Sequence, residues 1–279
     1  MWIGGPPGAG KTAVATRLAR RHGLRWYGAD TRTWVHRDRA LAAGIPAAAR
    51  WESLAPERRW DAPADELLAM SLHRERGSMV VDDLRALPTS PLVVAEGSCL
   101  PAAAVSSGIA DPSRAIWLVP SPRFQQALLA ERATSSGAAR LFELLASVIE
   151  GEAREHGAPI LVVDGSQDVE KTTDCVEALF ADALAAGPRA GTIAERRDLL
   201  REANEALAAQ VRGYYARPWA SGDPESVARS FLCECGDPAC GADVTRPVGE
   251  LAAGPVLAPG HGVHVMPSAR ERPDSRPDR

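Results

Sequence analysis

Hydrophobic positions along the chain alternate between compact apolar runs and longer stretches with helical spacing. A short apolar start at 1–3 leads into a Gly/Pro turn, and Val14, Ala15, Leu18 and Ala19 then mark a helix over 12–22 that Gly23 ends. Residues 24–27 read as a second strand that finishes near Asp30. From 37 to 78 the pattern is helical and rich in Arg and Glu, broken at Pro46, Pro56 and Pro63, and 79–87 continues a helix toward Pro88. The runs 92–95, 115–119 and 160–163 read as buried strands. Between the last two come helices over 123–132 and 139–156, with a polar break at 134–137. A further helix follows the fifth strand and ends near Ala186. Short apolar strands separated by helices predict an α/β fold, with a five-stranded parallel sheet covered on both faces.

Gly187-Pro188 marks a boundary, and 193–215 is a charged amphipathic helix. From Pro218 the chain is rich in Gly and Pro, and 268–279 has the composition of a tail without a packed core. The expected division is 1–186 for the nucleotide-binding unit, 187–217 for a linker and helix, 218–267 for a Cys-rich module and 268–279 for the tail.

The 279 residues carry 32 Lys+Arg against 36 Asp+Glu, a formal net charge of −4. That balance speaks against a protein that grips nucleic acid over its whole surface. No apolar run approaches a membrane span, and no leader pattern opens the chain, so a cytoplasmic protein is expected. Only Lys11 and Lys171 are lysines. A chain that writes nearly every positive charge as Arg keeps Lys11 inside its most Gly-rich turn.

That turn, Gly5-Pro6-Pro7-Gly8-Ala9-Gly10-Lys11-Thr12, fits G-x-x-x-x-G-K-[ST] between a strand and an amphipathic helix. Glycines let backbone N–H groups turn inward on a phosphate, and the helix N-terminus adds partial positive charge. In such a loop Lys11 reaches the β/γ-phosphates and Thr12 ligates Mg²⁺, with residues 5–13 through Ala13 forming the ATP cradle. Glu96, closing the strand 92–95, is placed to hold Mg²⁺ through water. Asp82-Asp83 is a rival for that role, although Leu84 and Leu87 continue a helical spacing that makes the pair a solvated face. Arg32, Arg37 and Arg39 could clamp an anionic acceptor or line a solvated face, and Trp34, Trp51 and Trp60 read as core or pocket walls.

From 1 to about 186 the chain resembles the P-loop small-molecule and nucleotide kinases, the group of nucleoside-monophosphate, shikimate and gluconate kinases. The resemblance rests on GPPGAGKT, on Asp30 after the second strand, on LVVAEG, on AIWLV before an Arg-containing helix, and on VVDGSQDVEKTTDCVEALF. It implies the three-layer P-loop NTPase fold, a lid after the fourth strand and an adenine-contacting loop after the fifth. It further implies Asp30 as the base or acceptor-orienting residue, Arg123 or Arg132 as a catalytic lid arginine, and Asp164 and Ser166 beside the base. The paired Asp-x-Asp of shikimate kinases is missing, which argues against shikimate as acceptor.

Cys233, Cys235 and Cys240, with His261 or His264, have the composition of a closed Cys₃His zinc site. The surrounding segment has few apolar residues, so a metal staple makes physical sense. It resembles an uncharacterised bacterial module, FxCxCGDPxC…PGH, preceded by a helix like RREANEAL. Together these features predict an ATP-dependent phosphotransferase acting on a hydroxyl or phosphate of a small molecule. The alternatives are an ATP-dependent switch that engages a protein partner through the Cys-rich module, and a nucleic-acid 5′-end kinase.

Overall fold

The computed structural model describes residues 1–131 and 136–262. Arg132, His264 and the terminal tail at 268–279 lie outside the described residues.

Five parallel strands form the main sheet: β1 (Trp2–Gly4), β2 (Arg25–Gly28), β3 (Val93–Glu96), β4 (Ala115–Pro120) and β5 (Ile160–Val163), in the order β2-β3-β1-β4-β5. Strand β4 shows why both faces must be covered, since all six of its residues are buried. Its alternation sends Ile116 and Leu118 into one apolar layer and Ala115, Trp117 and Val119 into the other. Helices complete the three layers. On one face α1 (Lys11–His22) packs with α9 (Val169–Leu179), α10 (Ala181–Ala186) and α11 (Ile193–Tyr215) through Val14, Leu18, Val176, Phe180, Leu184 and Leu200. On the other lie α4 (Ala64–Ser71), α5 (His73–Ala86), the single turn α6 (Ala103–Ser106) and α8 (Ser136–Glu155), with Leu67, Met70, Val80, Leu141 and Ile149 inward. The helices α2 (Thr33–Ala42) and α3 (Pro46–Ser53) follow a 3₁₀ turn at Ala29–Arg32, and α7 (Pro122–Glu131) follows β4. This is the three-layer α/β fold of P-loop NTPases, with β1 central. Strands β2 and β3 lie to one side of β1 and β4 and β5 to the other, so the strand order switches at β1 and the crevice at its carboxyl end is where such folds bind ligands.

Two local differences from the sequence pattern have packing causes. Ser136 and Gly137, expected in a polar break at 134–137, belong to α8, where Gly137 seats against Trp60. The expected single helix after β5 is two, meeting at Phe180, which is fully buried.

Past α11 a hairpin forms, β6 (Ala228–Leu232) antiparallel to β7 (Asp243–Pro247), which the Gly/Pro-rich composition did not predict. Phe231, Leu232, Val248, Leu251 and Val256 join the same apolar layer as Ile3 and Leu18. Helix α11 bridges the two regions. Its start carries a capping box, in which Glu195 N–H donates to Thr192 Oγ1 and Thr192 N–H to Glu195 Oε2. Its buried stripe is Leu200, Ala203, Asn204, Leu207 and Ala208. Among the described residues no helix is long and apolar enough to cross a membrane.

Candidate functional site

The turn between β1 and α1 has the backbone that a phosphate cradle needs. Gly5 runs at φ +127°, where a Cβ would stand 2.0 Å from the Leu118 carbonyl oxygen, so only glycine fits. Gly10 caps α1 in the left-handed region at φ 78°, with no side-chain cap and nothing within 4 Å of the place a Cβ would take. The first turn of α1 holds no acidic residue. An uncapped, positively polarised helix N-terminus therefore opens onto the space inside the turn. Leu128 of α7 approaches that space, 3.9 Å from where a Cβ on Gly8 would sit.

Lys11 is buried, and its Nζ donates to Pro6 O at 2.9 Å and to Ser98 Oγ at 3.3 Å. Thr12 Oγ1 donates to Glu96 Oε1 at 3.1 Å. Parallel pairing of β1 with β3 brings these groups together, since Ile3 stands opposite Glu96 in the register. Glu96 is 1% exposed, and among the described residues its Oε2 has no hydrogen-bond partner. Burial, reinforced by the negative charge of Asp30, pushes the Glu96 carboxyl up from 4.5 to about 7, while Lys11 and the Thr12 hydroxyl pull the other way. A buried carboxylate with one orphaned oxygen beside a hydroxyl is a donor set suited to a hard divalent cation. Thr12 and Glu96 thus fit Mg²⁺, directly or through water.

Asp30 lies in the 3₁₀ turn after β2, close enough to Glu96 to shift it. Its side chain is about half exposed, and Oδ1 lies 3.8 Å from Arg76 Nη2. The backbone of its turn is held from two directions: Arg76 Nη2 donates to Ala29 O at 2.7 Å, and Gln210 Nε2 of α11 donates to Asp30 O at 2.9 Å. Ser98, Arg76 and Gln210 escaped the sequence reading. Ser98 had a faint signal, standing two residues past Glu96 in a strand-closing Glu-Gly-Ser. Arg76 and Gln210 are 46 and 180 residues from Asp30 in sequence and are joined to its turn only by tertiary packing.

The other expected residues fall in different places. Arg123 is exposed on α7. Asp164 and Ser166 form an exposed turn after β5, in which Asp164 Oδ1 accepts from Ser166 N at 2.9 Å and from Ser166 Oγ at 2.6 Å. Gly165 at the same turn faces the ring of Phe124. Asp83, read as a solvated helix face with Asp82, is instead a partly buried hub. It accepts from Tyr27 Oη at 2.9 Å and Arg39 Nη1 at 2.9 Å, and lies 2.9 Å from His36 Nε2. Asp82 is exposed, as the helical spacing implied.

Arg37, read among solvated charges, is 5% exposed. Its guanidinium lies 4.8 Å from the Trp51 ring centroid and donates to Met70 O at 2.9 Å. Arg59 stacks on Trp51 and Trp219, and Arg217 on Trp34. The ring faces give these cations a partner that a charge count does not reveal. Burial lowers Arg37 to about 10, so it stays charged at neutral pH. Trp34, Trp51 and Trp60 are therefore walls of a packed aromatic–arginine cluster that joins α2 and α3 to the chain just past α11.

Far from the phosphate turn, Cys233, Cys235, Cys240 and His261 place their ligand atoms within 4.8 Å of one another, with all three cysteines buried and unbridged.

No family model matches the sequence, and no curated protein matches it. Among solved structures, the chain is similar to a shikimate kinase from Acinetobacter baumannii in complex with shikimate. That match has 17% identity and a TM-score of 0.38, covering 66% of this chain and 92% of that one. The P-loop fold rests on the strand order and on the turn between β1 and α1.

Proposed function

We propose that the protein is an ATP-dependent phosphotransferase that moves the γ-phosphoryl group of ATP to a hydroxyl or phosphate of a small molecule. The observation that carries this reading is the convergence of Lys11, Thr12 and the orphaned Glu96 carboxylate at the mouth of an uncapped helix, with Asp30 alongside. On binding ATP, Lys11 Nζ exchanges its contacts with Pro6 O and Ser98 Oγ for phosphate oxygens. Mg²⁺, held by Thr12 and Glu96, would neutralise charge between the β- and γ-phosphates. Asp30 accepts the proton of the acceptor hydroxyl as the new oxygen–phosphorus bond forms and the bond from the γ-phosphorus to the β,γ-bridging oxygen breaks, releasing ADP. Arg76, 3.8 Å from Asp30, supplies positive charge on the acceptor side. The rate gain comes from positioning and charge stabilisation, with no covalent enzyme intermediate.

Incubation with γ-labelled ATP and pooled metabolites, nucleosides and oligonucleotides tests the proposal. Label on a small molecule supports it. ATP hydrolysis that leaves every acceptor unlabelled contradicts it and favours a nucleotide switch, and label confined to oligonucleotide ends contradicts the small-molecule assignment.

A further inference from the structure

The cysteine cluster has the dimensions of a metal site. Sγ atoms of Cys233 and Cys240 each lie 3.5 Å from Nδ1 of His261. A tetrahedral zinc with Zn–S of about 2.3 Å and Zn–N of about 2.0 Å separates sulfur from nitrogen ligands by about 3.5 Å. The cysteines are 1%, 2% and 8% exposed, and Ala258 N–H donates to Cys233 Sγ at 3.3 Å, a contact that steadies a thiolate. Four protein donors, three of them buried thiols, leave no open coordination position, which marks a structural rather than a catalytic ion.

Glu234, between two of the ligands, ties this cluster to α11. Its side chain is buried. Oε1 accepts from Asn204 Nδ2 at 2.7 Å, and Oε2 accepts from Val256 N at 3.2 Å and lies 3.1 Å from Arg201 Nη2. Asn204, fully buried on α11, also pairs with the Leu232 backbone in both directions, at 2.9 and 2.8 Å. Farther along α11, Gln210 Oε1 accepts from Arg229 Nη2 of β6 at 3.3 Å, while its Nε2 donates to Asp30 O. On the opposite side Arg20, near the end of α1, pairs with Asp243 of β7. The hairpin thus touches α1 directly and the Asp30 turn through one glutamine.

We propose that Cys233, Cys235, Cys240 and His261 hold a zinc ion, and that this ion fixes the hairpin against α11 so that Gln210 sets the position of Asp30. The first half stands on the cluster alone. The functional meaning of the second rests on the role proposed above for Asp30.

The full-length chain, purified without added metal, is analysed for zinc and then exchanged with Co²⁺. Stoichiometric zinc and visible cobalt absorption with thiolate-to-metal charge transfer are expected; absence of both overturns the metal site. Hydrogen exchange is then followed with and without chelator, because a Cys235→Ser chain could lose its fold outright. Chelation is expected to raise exchange several-fold at 228–261 and at 28–33. Gln210→Ala is expected to raise it at 28–33 alone, with zinc retained. Zinc present but exchange at 28–33 unchanged on chelation overturns the coupling. Neither readout involves ATP, so a failure here is distinct from a failure of the phosphotransferase reading.

Discussion

Thr12 Oγ1 donates a hydrogen bond to Glu96 Oε1 across 3.1 Å, joining the first turn of α1 to the end of β3 and leaving Glu96 Oε2 without a partner among the described residues. A buried carboxylate oxygen left unpaired is costly unless a ligand completes it. Glu96→Gln, nearly the same shape without the charge, is therefore expected to weaken Mg²⁺-dependent ATP binding by about tenfold or more. Calorimetric titration of ATP with and without Mg²⁺ checks this: the magnesium advantage should shrink in the variant.

The same carboxylate gives a pH dependence. Its folded value, raised by burial and by Asp30 to about 7 from 4.5, means that the metal-free folded chain keeps a proton that the unfolded chain has released. The unfolded state binds fewer protons across that window, so stability falls as pH rises through it and levels off above about 7. Thermal unfolding in chelator should show this decline, and Glu96→Gln should flatten it.

Asp30→Asn is expected to leave ATP binding close to wild type and to cut phosphoryl transfer by about 10²–10⁴-fold, the usual contribution of a positioned base. Parallel measurement of ATP affinity and turnover separates this outcome from a general collapse of the site, which would lower both.

The packing of the chain just past α11 against α2 makes a stability prediction. Arg217 donates to Asp38 Oδ1 at 2.6 Å and to Trp34 O at 2.9 Å, and stacks over the Trp34 ring at 5.1 Å, with only 9% of its side chain exposed. Arg217→Ala should cost about 1–3 kcal/mol through the lost ring contact and the unpaired Trp34 carbonyl. Urea unfolding followed by tryptophan fluorescence measures it.

The parts of the molecule that were legible in sequence are those whose signal is local. A Gly-rich turn between an apolar run and a helical stripe located Lys11 and Thr12, and compact apolar runs located all five strands of the main sheet. The hairpin β6–β7 was not legible, because its burial alternates weakly and its apolar residues find their partners on α1 and α11. Arg37 misled for a related reason: an arginine beside other arginines reads as solvated until a tryptophan face is found beneath it. Ser98, Arg76 and Gln210 depend on tertiary proximity, which spacing along a chain does not record.

Label transfer from ATP in paired reactions of the wild-type chain and Lys11→Ala, over the same metabolite pool, shows whether the phosphate turn drives phosphoryl transfer. Lys11 Nζ donates to Pro6 O at 2.9 Å and to Ser98 Oγ at 3.3 Å, and circular dichroism checks that the variant is folded before its labelling is compared. A labelled small molecule is expected with the wild-type protein and none with the folded variant. Equal labelling in both, or ATP binding that survives the loss of Lys11 unchanged, would contradict the phosphotransferase reading.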